Sequence, residues 1–233
     1  MYHDRTVKKL MLFLVVFCAG FASWPAARFV RSQLRPHASA LAGYRRIYRH
    51  VAFMEWAQTH PHPDILFLGD SITDFWRDEE DLFEERFPGA ANFGVFADTI
   101  EDVEGRVKAG EVQATQPKVI VLLIGVNNLL SGDSEDQVVS KLAHLLATIH
   151  ANAEHATIVL IGILPTDQVP DPRVIDQVNE RLSHFENVRF LDLGPKLLNP
   201  DGSLDAFMQP DHLHLSPAGY RVWADEFSPL LRR

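Results

Sequence analysis

Cysteine is almost missing from this chain: Cys18 is the only one in 233 residues, and it sits inside an apolar run. No internal disulfide can form, and the body of the chain has neither a cysteine-based metal site nor a cysteine nucleophile. Internal repeats and low-complexity tracts are absent too, which leaves out solenoids and disordered tails. Basic charge is scarce. The chain carries 22 Lys/Arg against 31 Asp/Glu, a formal net charge of −9. Met1–His37 holds six of the basic residues and one acidic residue, so the remainder has 16 basic and 30 acidic side chains, a formal −14. A body so acidic repels phosphate polymers, which disfavours nucleic acid as a partner.

What is present fits an ordinary globular domain. Apolar residues make up 46% and charged residues 23%, and the length suits one domain with a full core. The N-terminus stands apart. Arg5, Lys8 and Lys9 precede Leu10–Ala27, which carries no charge. That is the pattern of a secretory signal or a short membrane anchor, since about 18 apolar residues nearly span a bilayer. Gly20-Phe21-Ala22 is a fair cleavage site, and Phe17 before Cys18 argues against lipoprotein processing. Arg28, Arg31 and Arg35 after the run blur the positive-inside signal. The alternative is a buried core helix, but the terminal position and basic flanks favour export. The expected division is a signal peptide or membrane anchor over 1–37 and a single domain over 38–233. The body would then be periplasmic or secreted, with membrane association through the N-terminal segment.

Ser39–Gln58 reads as an amphipathic helix, broken by "HPHPD" at 60–64. From there short continuous apolar runs recur at Ile65–Leu68, Ala91–Phe93, Val119–Ile124, Thr157–Ile163 and Val188–Leu191. Strands buried on both faces of a parallel sheet read this way. Helices fall between them. One begins near Asp98 with Glu101 three residues on, another at Ser134 with Gln137 three residues on, both resembling capping boxes. Another follows Pro172, and the last begins at Ser216 with Pro217 as its first helical residue and runs to the C-terminus. Five strands alternating with helices predict one doubly wound α/β domain with right-handed crossovers.

Such a sheet gathers its ligands at the carboxyl ends of its strands, so the residues just after each run matter most. After the first come Gly69, Asp70 and Ser71. The glycine permits a tight turn, and a helix N-terminus behind Ser71 aims backbone N–H groups at whatever binds there. Those conditions suit an attacking hydroxyl and a developing oxyanion. A serine needs a base. In "DHLH", 211–214, Asp211 and His214 are three residues apart, which in a turn lets the carboxylate reach Nδ1 and leaves Nε2 for Ser71. His212 is the rival base, but adjacent side chains usually diverge from Asp211. Asn127 can donate its side-chain amide to an oxyanion. A base of this kind must be neutral, so activity should fall below about pH 6.

"GDSIT", "NFGVFADT", "IGVNN" and "DHLH", in that order, resemble the four blocks of the SGNH (GDSL) hydrolase family. "PKVIVLLIGVNNL" and "DHLHLSPAGY" look most like the group of platelet-activating-factor acetylhydrolase catalytic subunits, and the match spans Asp64 to about Leu230. The resemblance implies a flavodoxin-like three-layer αβα sandwich with a five-stranded parallel sheet, and metal-free, cofactor-free serine ester hydrolysis. Position by position it makes Ser71 the nucleophile, Asp211 and His214 the rest of the triad, and Asn127 an oxyanion donor beside the backbone N–H groups of Ser71 and Ala97. Asp70, Gly94 and Phe96 are candidate substrate-binding residues. Two positions depart from the family pattern. Ala97 stands where a glycine usually precedes Asp-Thr, with Gly94 three residues earlier; alanine supplies the same N–H only if the turn does not need positive φ. Asn128 stands where many members have aspartate, and reads as neutral.

Each residue alone has a plainer explanation. Ser71 or Asp70 could be a helix cap, Asn127 a turn residue, and 211–214 a surface loop or weak metal site whose nearest third ligand, Asp205, lies across a loop. Phe75 and Trp76 could line an acyl pocket or belong to the core. Flavin binding is disfavoured, since the first loop lacks a run of phosphate-binding hydroxyls and glycines. Four blocks in order outweigh these explanations. The expected activity is hydrolysis of a small ester or an acylated glycan or lipid, short-chain if Phe96 and Leu129 narrow the pocket. The alternatives are an acyltransferase using a sugar hydroxyl in place of water, or a non-catalytic envelope ligand-binding protein.

Overall fold

The computed structural model describes residues 43–60 and 62–232; the expected export segment over 1–37 lies outside them. Among the described residues no helix is long and apolar enough to cross a membrane. The sheet and everything built on it lie within one compact unit that begins at Tyr48.

A helix over 43–59 (α1) ends at the predicted break. Then come β1 (Ile65–Gly69), α2 (Ser71–Asp74), α3 (Glu80–Arg86), β2 (Ala91–Gly94), α4 (Ile100–Lys108), α5 (Glu111–Thr115), β3 (Val119–Leu123), α6 (Val126–Leu130), α7 (Glu135–Asn152), β4 (Thr157–Ile161), α8 (Arg173–Ser183), β5 (Arg189–Leu191) and α9 (Pro217–Phe227). The strands pair in the order β2-β1-β3-β4-β5, all parallel. That is the flavodoxin-like order. Every residue of β1 is buried, and all of β3 and β4 but the first of each. Helices cover both faces and leave no wet side for alternation, so the strands read as unbroken apolar runs.

The face carrying α9 is aromatic. Phe67 of β1 meets Trp76, Phe83, Phe87, Trp223 and Phe227 with ring centroids 5.1–6.4 Å apart. α4 packs beside α7, and α7 beside α8. Capping sets where these helices begin. Ser134 and Gln137 form the predicted box at α7, and Ser216 caps α9 with Pro217 first. Two expectations need correction. The box at α4 is Thr99 with Asp102, one residue later than read from Asp98 and Glu101. And α9 stops at Phe227; a short 3₁₀ turn, Ser228–Arg232, finishes the described chain.

Strand order reverses between β1 and β3. Such a reversal is where sheets of this kind take their ligands, outside the carboxyl ends of the strands; there Gly69 pairs in register with both Leu123 and Gly94.

Candidate active site

Gly69 ends β1 where no side chain fits: a Cβ would lie 2.3 Å from the Leu123 carbonyl oxygen and 2.3 Å from Thr73 Oγ1. The chain turns there into α2. Asp70 supplies the cap, its Oδ1 accepting the Ile72 N–H at 2.9 Å, so Ser71 keeps its hydroxyl for another partner. That partner is His214. Ser71 Oγ and His214 Nε2 are 2.9 Å apart, and His214 Nδ1 is 2.7 Å from Asp211 Oδ2. Asp211 Oδ1 also accepts the backbone N–H groups of Leu213 and His214, each at 3.0 Å. The three-residue spacing thus closes a turn that aims the imidazole at Ser71. Burial alone would raise the Asp211 carboxyl, but the hydrogen bond from the His214 ring and the two backbone N–H groups outweigh it and hold the group at about 2. Asp211 is ionised across the neutral range and able to stabilise an imidazolium.

His212, the rival base, is engaged elsewhere. Its Nδ1 is 2.7 Å from Asp167 and its Nε2 3.1 Å from Asp205. It takes φ +51, so the backbone turns over between it and Asp211. Among the described residues no group of three or more His, Cys, Asp or Glu is arranged to hold a metal ion.

The three candidate oxyanion donors follow β1, β2 and β3. Ser71 is the first residue of α2, where the backbone N–H has no intrahelical acceptor. Asn127 lies in the first turn of α6. Its Nδ2 donates to the Asp98 carbonyl at 2.8 Å, while its approach to Asp70 Oδ2 is 3.5 Å. One amide hydrogen is therefore firmly used and the other only weakly. Ala97 takes φ +63. The turn does need the left-handed conformation, so alanine sits where glycine would be unstrained, at a cost of about 1–2 kcal/mol. No backbone acceptor among the described residues takes its N–H. Asn128 is structural. Its Oδ1 accepts the Ile100 N–H at 2.9 Å, and its Nδ2 donates to Glu101 and Asp133. It ties the start of α4 to the loop after β3.

The three substrate-binding candidates part company. Phe96 is exposed, at 40%, and its ring stacks at 6.1 Å on Phe75, which in turn lies 4.8 Å from the His214 ring. Trp76 is core, at 1%, and Leu129 is buried, so it cannot narrow an opening. Gly94 packs against the backbone of Thr73 and Asp74. Asp70 is fully buried, and one oxygen of its carboxyl is taken up in capping α2. Of the two readings offered for Phe75, its ring beside His214 fits the pocket side; unread in the sequence was the burial of Arg106. The signal for Arg106 was an arginine on the apolar stripe of α4 with Val103 and Val107.

Burial pushes the Asp70 carboxyl up to about 7, with Asp98 adding to the rise and the Ile72 N–H and His214 opposing it. The folded protein therefore holds a proton that the unfolded chain has released. Its contribution to stability is complete below about pH 4 and is lost as pH rises towards 7. Asp70→Asn keeps the capping oxygen and cannot titrate. Thermal unfolding should find it melting several degrees above the parent at pH 8 and level with it near pH 4. A gap independent of pH would refute the buried-proton account.

A profile of the GDSL-like lipase/acylhydrolase family matches residues 67–222. The chain is 31% identical over 179 residues to platelet-activating factor acetylhydrolase IB subunit alpha1 of Bos taurus, covering 73% of this chain and 76% of that one. It is also 31% identical over 166 residues to subunit alpha2 of Rattus norvegicus, covering 68% and 71%. Among solved structures, a GDSL-like lipase of Bacteroides thetaiotaomicron superposes with a TM-score of 0.68 at 18% identity, over 78% of this chain and 97% of that one.

Proposed function

The chain belongs to the GDSL-like lipase/acylhydrolase family, and on that premise we propose that it is an extracytoplasmic serine esterase, tethered or exported by its N-terminal segment. It removes a short acyl group, acetyl foremost, from a lipid or carbohydrate. The observation that carries this is the continuous chain of hydrogen bonds from Ser71 Oγ through His214 to Asp211, at 2.9 and 2.7 Å.

The chemistry follows from that chain. His214 Nε2 takes the Ser71 proton as Oγ bonds to the ester carbonyl carbon. The carbonyl oxygen becomes an oxyanion, held by the N–H groups of Ser71 and Ala97 and by the second amide hydrogen of Asn127. The imidazolium, steadied by Asp211, gives its proton to the leaving alkoxide oxygen as the C–O bond breaks. Water then attacks the acyl-serine with His214 as base, releasing the acid and restoring Ser71. Each donor to the oxyanion is worth about 3–4 kcal/mol of transition-state stabilisation.

Support for a short acyl group comes from Phe75 and Phe96, which wall the site beside His214. Rates of the purified chain on nitrophenyl acetate, butyrate, hexanoate and octanoate test it. kcat/KM should be highest for acetate or butyrate and at least about tenfold lower for octanoate, since a bulky ring set against the acyl chain is worth a few kcal/mol of discrimination. A maximum at octanoate overturns the short-acyl assignment. Repeating the assay with a sugar acceptor separates water from a hydroxyl as the second nucleophile: an acylated sugar as the main product makes the protein a transferase.

A further inference from the structure

Behind the loops that carry the oxyanion donors runs a buried chain of charged groups that no step above uses. Arg106 of α4 is 4% exposed, and Asp98 and Glu111 are fully buried. Its Nε donates to Asp98 Oδ2 at 2.9 Å, Nη1 to Glu111, and Nη2 reaches the Gly69 carbonyl at 3.5 Å. Glu111 Oε1 is 2.8 Å from His50 Nδ1 on α1. One planar guanidinium thus ties together the loop after β2, the start of α5 and the end of β1, two residues before Ser71.

Such a group is costly to build. Desolvating two carboxylates and a guanidinium roughly offsets their attraction, and apolar side chains of equal volume often serve stability as well. What the apolar version cannot do is fix three segments in one plane, since a guanidinium presents its N–H groups in a rigid fork. The segments fixed here are the ones that matter. Asp98 is held through its carboxylate by Arg106, and its own carbonyl carries the Asn127 amide at 2.8 Å. Ala97 precedes it directly.

We propose that Arg106 is a positioning residue of the active centre: it locks the Asp98 loop to the end of β1, and so brings Asn127 and the Ala97 N–H to bear on the space beside Ser71. The proposal rests on the esterase reading above. It acts through geometry, so it should be felt in turnover. Displacing donors by about 1 Å costs on the order of 10²-fold, while ground-state binding of a small ester is little affected.

The test is a double-mutant cycle in the full chain with nitrophenyl acetate, activity being counted per Ser71 labelled to completion by a fluorophosphonate. Arg106→Met should lower kcat by about 10–100-fold with KM within about threefold, and Arg106→Lys should recover part of the loss. In an Asn127→Ala background, Arg106→Met should cost clearly less than in the parent, because one of the two donors it positions is already gone. Losses that multiply in full, or a loss confined to the fraction of labelled molecules, would make Arg106 merely structural. Should Arg106→Met fail to fold once the guanidinium between Asp98 and Glu111 is gone, Asp98→Asn runs through the same cycle with the same expected result. The two claims fail separately. Ser71→Ala at parental rate sinks the esterase reading; Ser71→Ala inactive with Arg106→Met at parental kcat sinks only the positioning role.

Discussion

Replacing Ser71 with alanine is expected to lower kcat on nitrophenyl acetate by about 10³-fold or more while leaving the melting temperature within a few degrees of the parent. The separation of the two effects is what the structure contributes. A serine at the start of a helix is commonly its cap, and removing a cap costs about 1 kcal/mol. Here the cap is Asp70, whose Oδ1 holds the Ile72 N–H. The Ser71 hydroxyl makes its hydrogen bond to His214 Nε2, so its loss removes a nucleophile and one side-chain bond, and leaves the cap of α2 in place. His214→Ala should cost a similar factor, and the double variant little more than either single one, because the two act as a unit. Some acceleration over water should survive from the oxyanion donors, and adding Asn127→Ala should then remove part of it. Parental turnover in Ser71→Ala would end the proposal. A lost activity matched by a collapse in melting temperature would make Ser71 a structural residue after all.

The fold was legible in the chain for a physical reason. A strand covered by helices on both faces has no wet side, so β1, β3 and β4 appear as unbroken Val, Ile and Leu runs and their ends fall within a residue or two of the apolar stretches. The meeting of Asp211 with His214 was legible too, because a three-residue spacing closes a local turn. What stayed hidden is long-range. "ADTIED" offers two capping frames, Asp98 with Glu101 and Thr99 with Asp102, equally good locally. The second is used because tertiary partners claim the first: Asp98 turns to Arg106 and Glu101 to Asn128 and Lys141. The same competition hid the Arg106 chain itself, whose members lie on α1, the loop after β2, α4 and α5 and are joined only by folding. Nor could the sequence tell that Ala97 would be forced to φ +63, since that follows from how the loop after β2 closes over Asp98.

Gly94→Ala is the variant in which fold and site should fail together. A Cβ at Gly94 would lie 2.2 Å from the Asp74 nitrogen, 2.6 Å from the Thr73 carbonyl carbon and 2.7 Å from Asp74 Cα. All three are backbone atoms of α2 and none can swing aside as the tip of a side chain does. The neighbourhood is pinned further. Asn92 Oδ1 accepts the Gly94 N–H at 2.9 Å while its Nδ2 donates to the Thr73 carbonyl at 3.0 Å, so β2 and α2 are laced together across the place the methyl would occupy. Overpacking of this kind costs about 3 kcal/mol or more. Gly105→Ala is the control from the same chain. It lies within α4, and a Cβ there meets nothing within 4 Å, so alanine should stabilise by about 0.5–1 kcal/mol through helix propensity alone. Urea unfolding should therefore move in opposite directions for the two glycines, and equal stability of Gly94→Ala and the parent would refute the close-packing account. The molecules of Gly94→Ala that do fold carry the second half of the prediction. The only relief open to them is to push α2 away from β2, and α2 begins with Ser71. A hydroxyl held 2.9 Å from its base cannot follow that movement and keep its bond, so kcat should fall even at temperatures where the variant is fully folded.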